Sequence, residues 1–404
     1  MHIVDQSIIN VQFTKQLENA IIQTSVLSLE AQVTKRLERH PNNNLEDKLM
    51  NQDNHAKKFC TTLALLASAC AVHAQSTVTV YGIADASVRY TDGLNVKNAA
   101  AVDSATAVSS GVNNTSRFGF RGSEDLGGGM AAIFHLESGI NLDTGVQTNT
   151  DKFFDRASYM GLKANWGTVT MGRQTTVLAD ALSPVDPLGV RFAGFNPNVG
   201  IAALSAHGLG IAYGPSGSSS GAYRLDNSIK YAGKFSDLTV RAMHAFGEQL
   251  SGNSSGLGMT YQAGNVAATL GYADFKSATG LQLKGYVGGI SGKLGNNKLS
   301  LTYGSNEAET SSTAKTSQTT LGFGGTVPLT ASMDLILAHY RVNRERTTKA
   351  DDGYNRTVAF LEYKLSKRTK LYAELDRTNW QTGYVAATLP QSATGASLGV
   401  VHNF

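Results

Sequence analysis

Apolar and polar residues alternate along almost the whole chain after Gln75. The stretch TVTVYGIADASVRY puts Val78, Val80, Ala84, Ala86, Val88 and Tyr90 on one side, and Thr77, Thr79, Tyr81, Asp85, Ser87 and Arg89 on the other. GMAAIFHLES separates Met130, Ala132, Phe134 and Leu136 from His135 and Glu137. KLYAELDR separates Leu371, Ala373 and Leu375 from Tyr372, Glu374 and Asp376. Successive side chains of a strand point to opposite faces, so this period predicts strands with one apolar face and one polar, often charged, face. Sixteen such segments start near residues 77, 115, 129, 154, 166, 223, 236, 257, 265, 281, 296, 317, 330, 355, 368 and 393.

The connections alternate in length. SEDLGG, KANWGT, AGKFSD, QAGN and GKLGNN are short; 91–114, 139–153, 174–222, 304–316, 342–354 and 379–392 are long. This is an up-and-down meander with tight turns at one end and long loops at the other. A soluble sandwich also alternates, but its polar face meets bulk water and its edges need protection. Closing the meander removes the edges, and a lipid-facing barrel satisfies every backbone group between strands. An even strand count, short turns, long loops and a polar interior are the marks of outer-membrane barrels. The predicted fold is therefore all-β, a 16-stranded antiparallel transmembrane β-barrel.

The end of the chain fits that closure. In SLGVVHNF, Leu398, Val400, His402 and Phe404 share one face, while Ser397, Gly399, Val401 and Asn403 share the other. Chain ends usually fray, yet a last strand that must pair with the first cannot. A terminal aromatic suits the interfacial girdle of a barrel.

Composition adds a boundary. None of the 42 glycines precedes Gly82, and only seven prolines occur in the 404 residues. Near that boundary lies NQDNHAKKFCTTLALLASACAVHAQ, with basic Lys57 and Lys58, a short apolar stretch from Phe59 to Val72, and a small-residue site at Val72-His73-Ala74. This predicts a secretory signal peptide over 50–74, cleaved after Ala74. Cys60 and Cys70 leave with it, so residues 75–404 carry no disulfide, thiolate nucleophile or cysteine metal site. Residues 1–49 form a polar, weakly helical extension, and Met50 just upstream of the basic pair is the expected start of translation. No run approaches the ~18 apolar residues of a spanning helix. The net charge of +4 is too mild to point to nucleic acid.

VTVYGIADASVRY, SRFGFRGSEDLGGGMAAIFHLESG, DRASYMGLKANWGTVTMGRQ and YRLDNSIKYAGKFSDLTVRAMHAFGE, in that order, closely resemble the Gram-negative general porins, especially those of beta-proteobacteria. The terminal VHNF resembles that family's C-terminal assembly signal. The resemblance covers residues 75–404. It implies a homotrimer in the outer membrane among lipid and lipopolysaccharide. It also implies recognition of Phe404 by the outer-membrane insertion machinery, and passive diffusion of small hydrophilic solutes and ions with no cofactor. The small outward residues Gly82, Ala84 and Ala86 would suit close packing between protomers. The third long loop is expected to fold inward as a constriction.

On that loop, VLADALSPVDPLG stands where family members carry acidic constriction residues, so the resemblance points to Asp186 and Asp180. GVRFAGFNP replaces the usual loop tip and brings in Arg191. By motif position the opposing basic ladder is Arg117, Arg156 and Arg224, with Arg89 and Arg121 as neighbours. The alternation independently puts Arg89, Arg117 and Arg121 on polar faces. Basic residues lining a narrow pore favour anions, so small anions are the expected partners.

Other chemistry is weakly supported. GSSSG (217–221) and GNSSG (252–256) match G-x-S-x-G, but neither lies between a buried strand and a helix. His135, His207, His244, His339 and His402 have no metal-ligand spacing. A barrel enzyme would need a catalytic constellation that is not visible here, and no enzyme activity is expected. An adhesin or receptor role carried by the long loops is the alternative.

Overall fold

The computed structural model describes residues 76–94, 101–192, 195–202, 213–214, 224–247, 252–347 and 349–404. The expected extension 1–49 and signal peptide 50–74 lie outside them, as do His207 and GSSSG.

Among the described residues, seventeen strands form one antiparallel sheet that closes on itself. They are β1 (Thr77–Leu94), β2 (Ala101–Ser110), β3 (Arg117–Gly127), β4 (Met130–Gly139), β5 (Ala157–Ala164), β6 (Gly167–Thr175), β7 (Arg224–Phe235), β8 (Leu238–Ala245) and β9 (Ser254–Ala263), followed by β10 (Val266–Lys276), β11 (Gln282–Leu294), β12 (Asn297–Glu309), β13 (Lys315–Pro328), β14 (Met333–Arg346), β15 (Lys349–Lys364), β16 (Thr369–Trp380) and β17 (Ser392–Asn403). From β3 to β17 each strand pairs with its sequence neighbours, and β17 pairs with β1 from Ile83↔Asn403 to Gly93↔Ala393. On its other edge β1 pairs with β3 over its first residues and with β2 over its last. β2 and β3 thus fill one position in the wall, interrupted at 111–116, and the barrel has 16 strands.

The outward faces are the apolar ones. Leu270, Leu294 and Leu398 are 67%, 71% and 70% exposed, positions that make sense only against lipid. Trp166, Phe235, Tyr261, Tyr363 and Phe404 are exposed aromatics near the short-turn end, the level of an interfacial girdle. Phe404 completes the seam. The Gly82 amide donates to its carbonyl at 3.0 Å, and its own amide donates to the Gly82 carbonyl at 3.1 Å. The Phe404 ring lies over Gly82, where an added Cβ would sit 2.3 Å from ring atom Cζ. Gly82 is therefore small to seat this chain's own terminal ring, which corrects its reading as an open surface for a neighbouring protomer.

Three connections expected to be long are mostly strand. β1 and β2 extend through much of 91–114, only 310–314 separates β12 from β13, and β14 and β15 run to within a few residues of each other. Backbone pairing continues past the lipid boundary into water, where the outward residues turn polar. The apolar alternation that marks a strand in sequence disappears there, while the ladder does not.

The loop between β6 and β7 does fold inward. Its described residues include two short helices, α1 (Val177–Leu182) and α2 (Pro197–Ala202). The Thr176 hydroxyl accepts from the Ala179 amide at 3.2 Å and caps α1. Val177, Leu178, Ala181 and Leu182 are buried against inward residues Met243, Ala273, Phe275, Leu283 and Val287. The wall has glycines where the loop comes closest. A Cβ on Gly256 would lie 2.6 Å from Val177, on Gly285 2.8 Å from Leu178, and on Gly289 2.7 Å from Val185. Further along, Leu188 and Phe192 pack on Ile336, Ala338, Tyr340, Val358 and Phe360, inward residues of β14 and β15. The loop thus covers the inner wall from β8 round to β17 and Arg89 of β1, and the polar wall of β3, β4, β5 and β7 is left facing it.

Candidate pore constriction

Period-two geometry gathers the polar side chains of β1, β3, β4 and β5 into one inner surface. Tyr81 pairs with Gly119, Ile83 with Arg117 and Thr79 with Arg121, so these positions share a face. Arg121 is exposed in the interior, its guanidinium 5.1 Å from the Tyr81 ring centre. Across β3 and β4, Glu137 receives the Arg156 Nε at 2.7 Å and lies 3.9 Å from Arg117. The Tyr81 hydroxyl also donates to Glu137 at 2.7 Å. His135 contacts the hydroxyls of Tyr81 and Tyr159. Arg117 further bonds the Thr115 carbonyl at 3.0 Å and the Asn114 side chain. Arg224 opens β7, pairs in register with Thr175 at the foot of the loop, and is 5% exposed.

The loop's carboxylates have different environments. Asp180 on α1 meets Lys230 of β7 at 2.8 Å and Arg241 of β8 at 3.9 Å, and it accepts from the Thr175 hydroxyl at 2.7 Å. It therefore faces the basic wall. Asp186 is fully buried and holds the loop together from within. It accepts from the Leu188 and Val190 amides at 3.0 and 2.8 Å, from Asn196 and Asn198 at 3.0 and 2.8 Å, and from the Tyr340 hydroxyl at 3.1 Å. The segment it grips is strained: Gly189, Val190 and Phe192 have φ of 62°, 53° and 58°. Left-handed non-glycine residues cost about 1–3 kcal/mol each and need surrounding structure to hold them.

Arg89 is separated from the other arginines. It is 6% exposed beneath the loop, bonded to Glu374 at 2.7 Å, Asp376 at 2.5 Å and Ser397 at 2.9 Å, with its guanidinium 5.1 Å from the Phe195 ring. These acidic groups offset its charge. Arg191 is likewise docked on the wall, paired with Glu362 and bonded to Asn113 at 3.0 Å. The structure thus brings Arg117, Arg121 and Arg156 together and places Asp180 on the Lys230–Arg241 pair. Arg89 lies beneath the loop against Phe195, and Asp186 is enclosed within it.

The sequence pattern does not single out Glu137, Lys230 or Arg241 as constriction residues. Parity could have found Lys230, which shares the face of Arg224 in YRLDNSIKY. The pairing of Asp180 with two different strands could not be read that way.

Asp186→Ala tests the anchoring role. It strips buried donors of their acceptor, each worth ~1–3 kcal/mol if left unsatisfied. The expected result is a folded barrel with larger and noisier single-channel conductance as the loop leaves the wall. A current trace identical to the unaltered protein would show that other contacts suffice.

A closed, outwardly apolar barrel with a loop folded across its interior defines a transmembrane protein of the channel type. The comparisons agree with that class. A family model described as Gram-negative porin matches residues 61–382, and the chain belongs to that family. It is 38% identical to an outer membrane porin protein of Bordetella pertussis over 37% of this chain and 41% of that protein. It is 34% identical to outer membrane porin protein 32 of Delftia acidovorans over 55% of this chain and 61% of that protein. These matches therefore span less than two thirds of either relative. In structure it resembles the anion-selective porin from Comamonas acidovorans, with a TM-score of 0.66 and 25% identity over 82% of this chain and 100% of that one.

Proposed function

We propose that the barrel is a passive diffusion channel of the outer membrane for small hydrophilic solutes, with a preference for anions. The observation that carries this is the charge of the wall facing the loop. Arg117, Arg121, Arg156, Arg224, Lys230 and Arg241 stand there against the carboxylates Glu137 and Asp180. The acidic residues Glu362, Glu374 and Asp376 lie on the covered side and are matched by Arg191, Lys370 and Arg89. The wall facing the loop therefore carries a net positive charge, and basic linings favour anions. The name of the Comamonas relative points the same way.

The supporting roles follow the family resemblance. Residues 50–74 direct export and are cleaved after Ala74, Phe404 is read by the insertion machinery, and the barrel works as a homotrimer without catalytic chemistry. The experiment is the zero-current potential across a planar bilayer under a KCl gradient, together with swelling of liposomes in small sugars. The expected result is a chloride preference and immediate swelling. A potassium preference would overturn the proposed selectivity, and absence of swelling would overturn the diffusion role.

A further inference from the structure

One cation of the inner wall stands apart from the others. Arg121 follows Arg117 by four residues of β3, about 13 Å along the strand toward the short-turn end. Arg117 and Arg156 rest on Glu137, and Lys230 and Arg241 on Asp180. Arg121 is exposed and has neither an ion pair nor a hydrogen bond among the described residues. Its one close neighbour of note is Tyr81, whose ring centre lies 5.1 Å from the guanidinium.

Beside this charge runs a row of rings. His135 is the cross-strand partner of Arg121, and Tyr159 is that of His135. The ring centres of Tyr81 and His135 are 5.7 Å apart, and those of His135 and Tyr159 are 5.3 Å apart. Gly119 leaves room for the Tyr81 ring to lie along the wall, since a Cβ there would sit 2.8 Å from the tyrosine hydroxyl oxygen. All three rings are half-buried and keep part of their surface toward the lumen. Their polar tips are already engaged. The Tyr81 hydroxyl donates to Glu137 at 2.7 Å and contacts His135, and the Tyr159 hydroxyl lies 3.2 Å from His135 Nδ1. What stays open to a solute is aromatic carbon next to an unoffset guanidinium.

We propose that Arg121 and the Tyr81–His135–Tyr159 row form a transient subsite for small aromatic carboxylates. The carboxylate takes the guanidinium fork, and the ring packs on the neighbouring aromatic side chains. Tyr81 also steadies the guanidinium by cation–π attraction. Chloride or an aliphatic anion gains only the charge contact, whereas a flat aromatic anion gains both. Occupancy must be brief, because a solute that passes through has to leave the wall again. The inference rests on the anion-channel reading above and names the class of solute that this wall holds best.

The test is the chloride current of single channels in a planar bilayer, with benzoate, cyclohexanecarboxylate or acetate added at rising concentration. Benzoate and cyclohexanecarboxylate have the same charge and carbon number, but only benzoate is flat and aromatic. In the wild-type channel benzoate is expected to halve the current at about a tenfold lower concentration than cyclohexanecarboxylate, with acetate weaker still. Arg121→Gln should raise the half-blocking concentration of both ring acids. Tyr81→Leu should remove the difference between them, and Tyr81→Phe, which keeps the ring and loses the hydroxyl, should retain it. A chloride current in each variant shows that its barrel has inserted. Equal block by the two ring acids in the wild type would overturn the proposal. So would unchanged block in Arg121→Gln, or an undiminished difference in Tyr81→Leu. A potassium preference of the wild-type channel would instead overturn the anion reading on which the subsite rests, so the two failures are told apart.

Discussion

Replacing Arg117, Arg156 and Arg224 together by alanine is expected to turn an anion-preferring channel into a cation-preferring one. Arg117 and Arg156 both lie on Glu137, so the triple variant removes positive charge and also releases a carboxylate into the passage. Two unit charges ~4 Å apart interact by ~1 kcal/mol in bulk water and ~4 kcal/mol at an effective dielectric of 20. A wet but narrow passage lies between those limits, so a change in permeability ratio on the order of tenfold is expected. Raising the salt from 0.1 M to 1 M shortens the Debye length from ~10 Å to ~3 Å and should weaken the preference of both proteins. Lys230 and Arg241 remain on Asp180 in the variant, so the loop should stay in place and the conductance should remain of the same order. The measurement is the zero-current potential under a KCl gradient. An unchanged sign in the triple variant would mean that the narrowest point lies elsewhere in the lumen.

Deleting Phe404 should nearly abolish accumulation in the outer membrane. The residue closes the seam with two main-chain hydrogen bonds to Gly82, and its ring fills the space above that glycine. Without it the Gly82 N–H and C=O lose their partners at the edge of the lipid, where each unsatisfied group costs several kcal/mol. The terminal assembly signal proposed above is lost in the same stroke. Expected is a chain found mainly in the periplasm and degraded there, measured by fractionation and immunoblot. Gly82→Ala separates the two effects, because it keeps the terminal signal but places a methyl group where the ring sits. If the residue acts only as a signal, Gly82→Ala will insert as well as the unaltered protein. Normal outer-membrane levels of the deletion itself would dismiss both roles.

Much of this protein is legible in its amino-acid order. The sixteen strands, their meander and the closing last strand follow from local features, while the inward third loop was expected from the family resemblance. Strand faces depend on a period of two, turns depend on glycine and asparagine, and closure follows from the requirement that no edge remain in lipid. The strand extensions beyond the lipid, including β2, escape the pattern because their outward residues are polar. The polar faces of Arg89, Arg117 and Arg121 are likewise visible from parity.

Which of those charges faces the pore is a different matter. Parity assigns a side chain to the interior but does not say what else lies in that interior. The loop covers one side of it, so Arg89 disappears beneath Phe195 into Glu374 and Asp376, while Arg121 stays open over Tyr81. Asp180 and Asp186 are six positions apart in one loop, yet one meets Lys230 and the other is enclosed by five donors. The sequence by itself determined the barrel, because backbone pairing in lipid depends on a local alternation. Only the tertiary structure decides which of these charges meet, because that depends on which side chains from distant strands and the folded loop end within a few ångströms of one another.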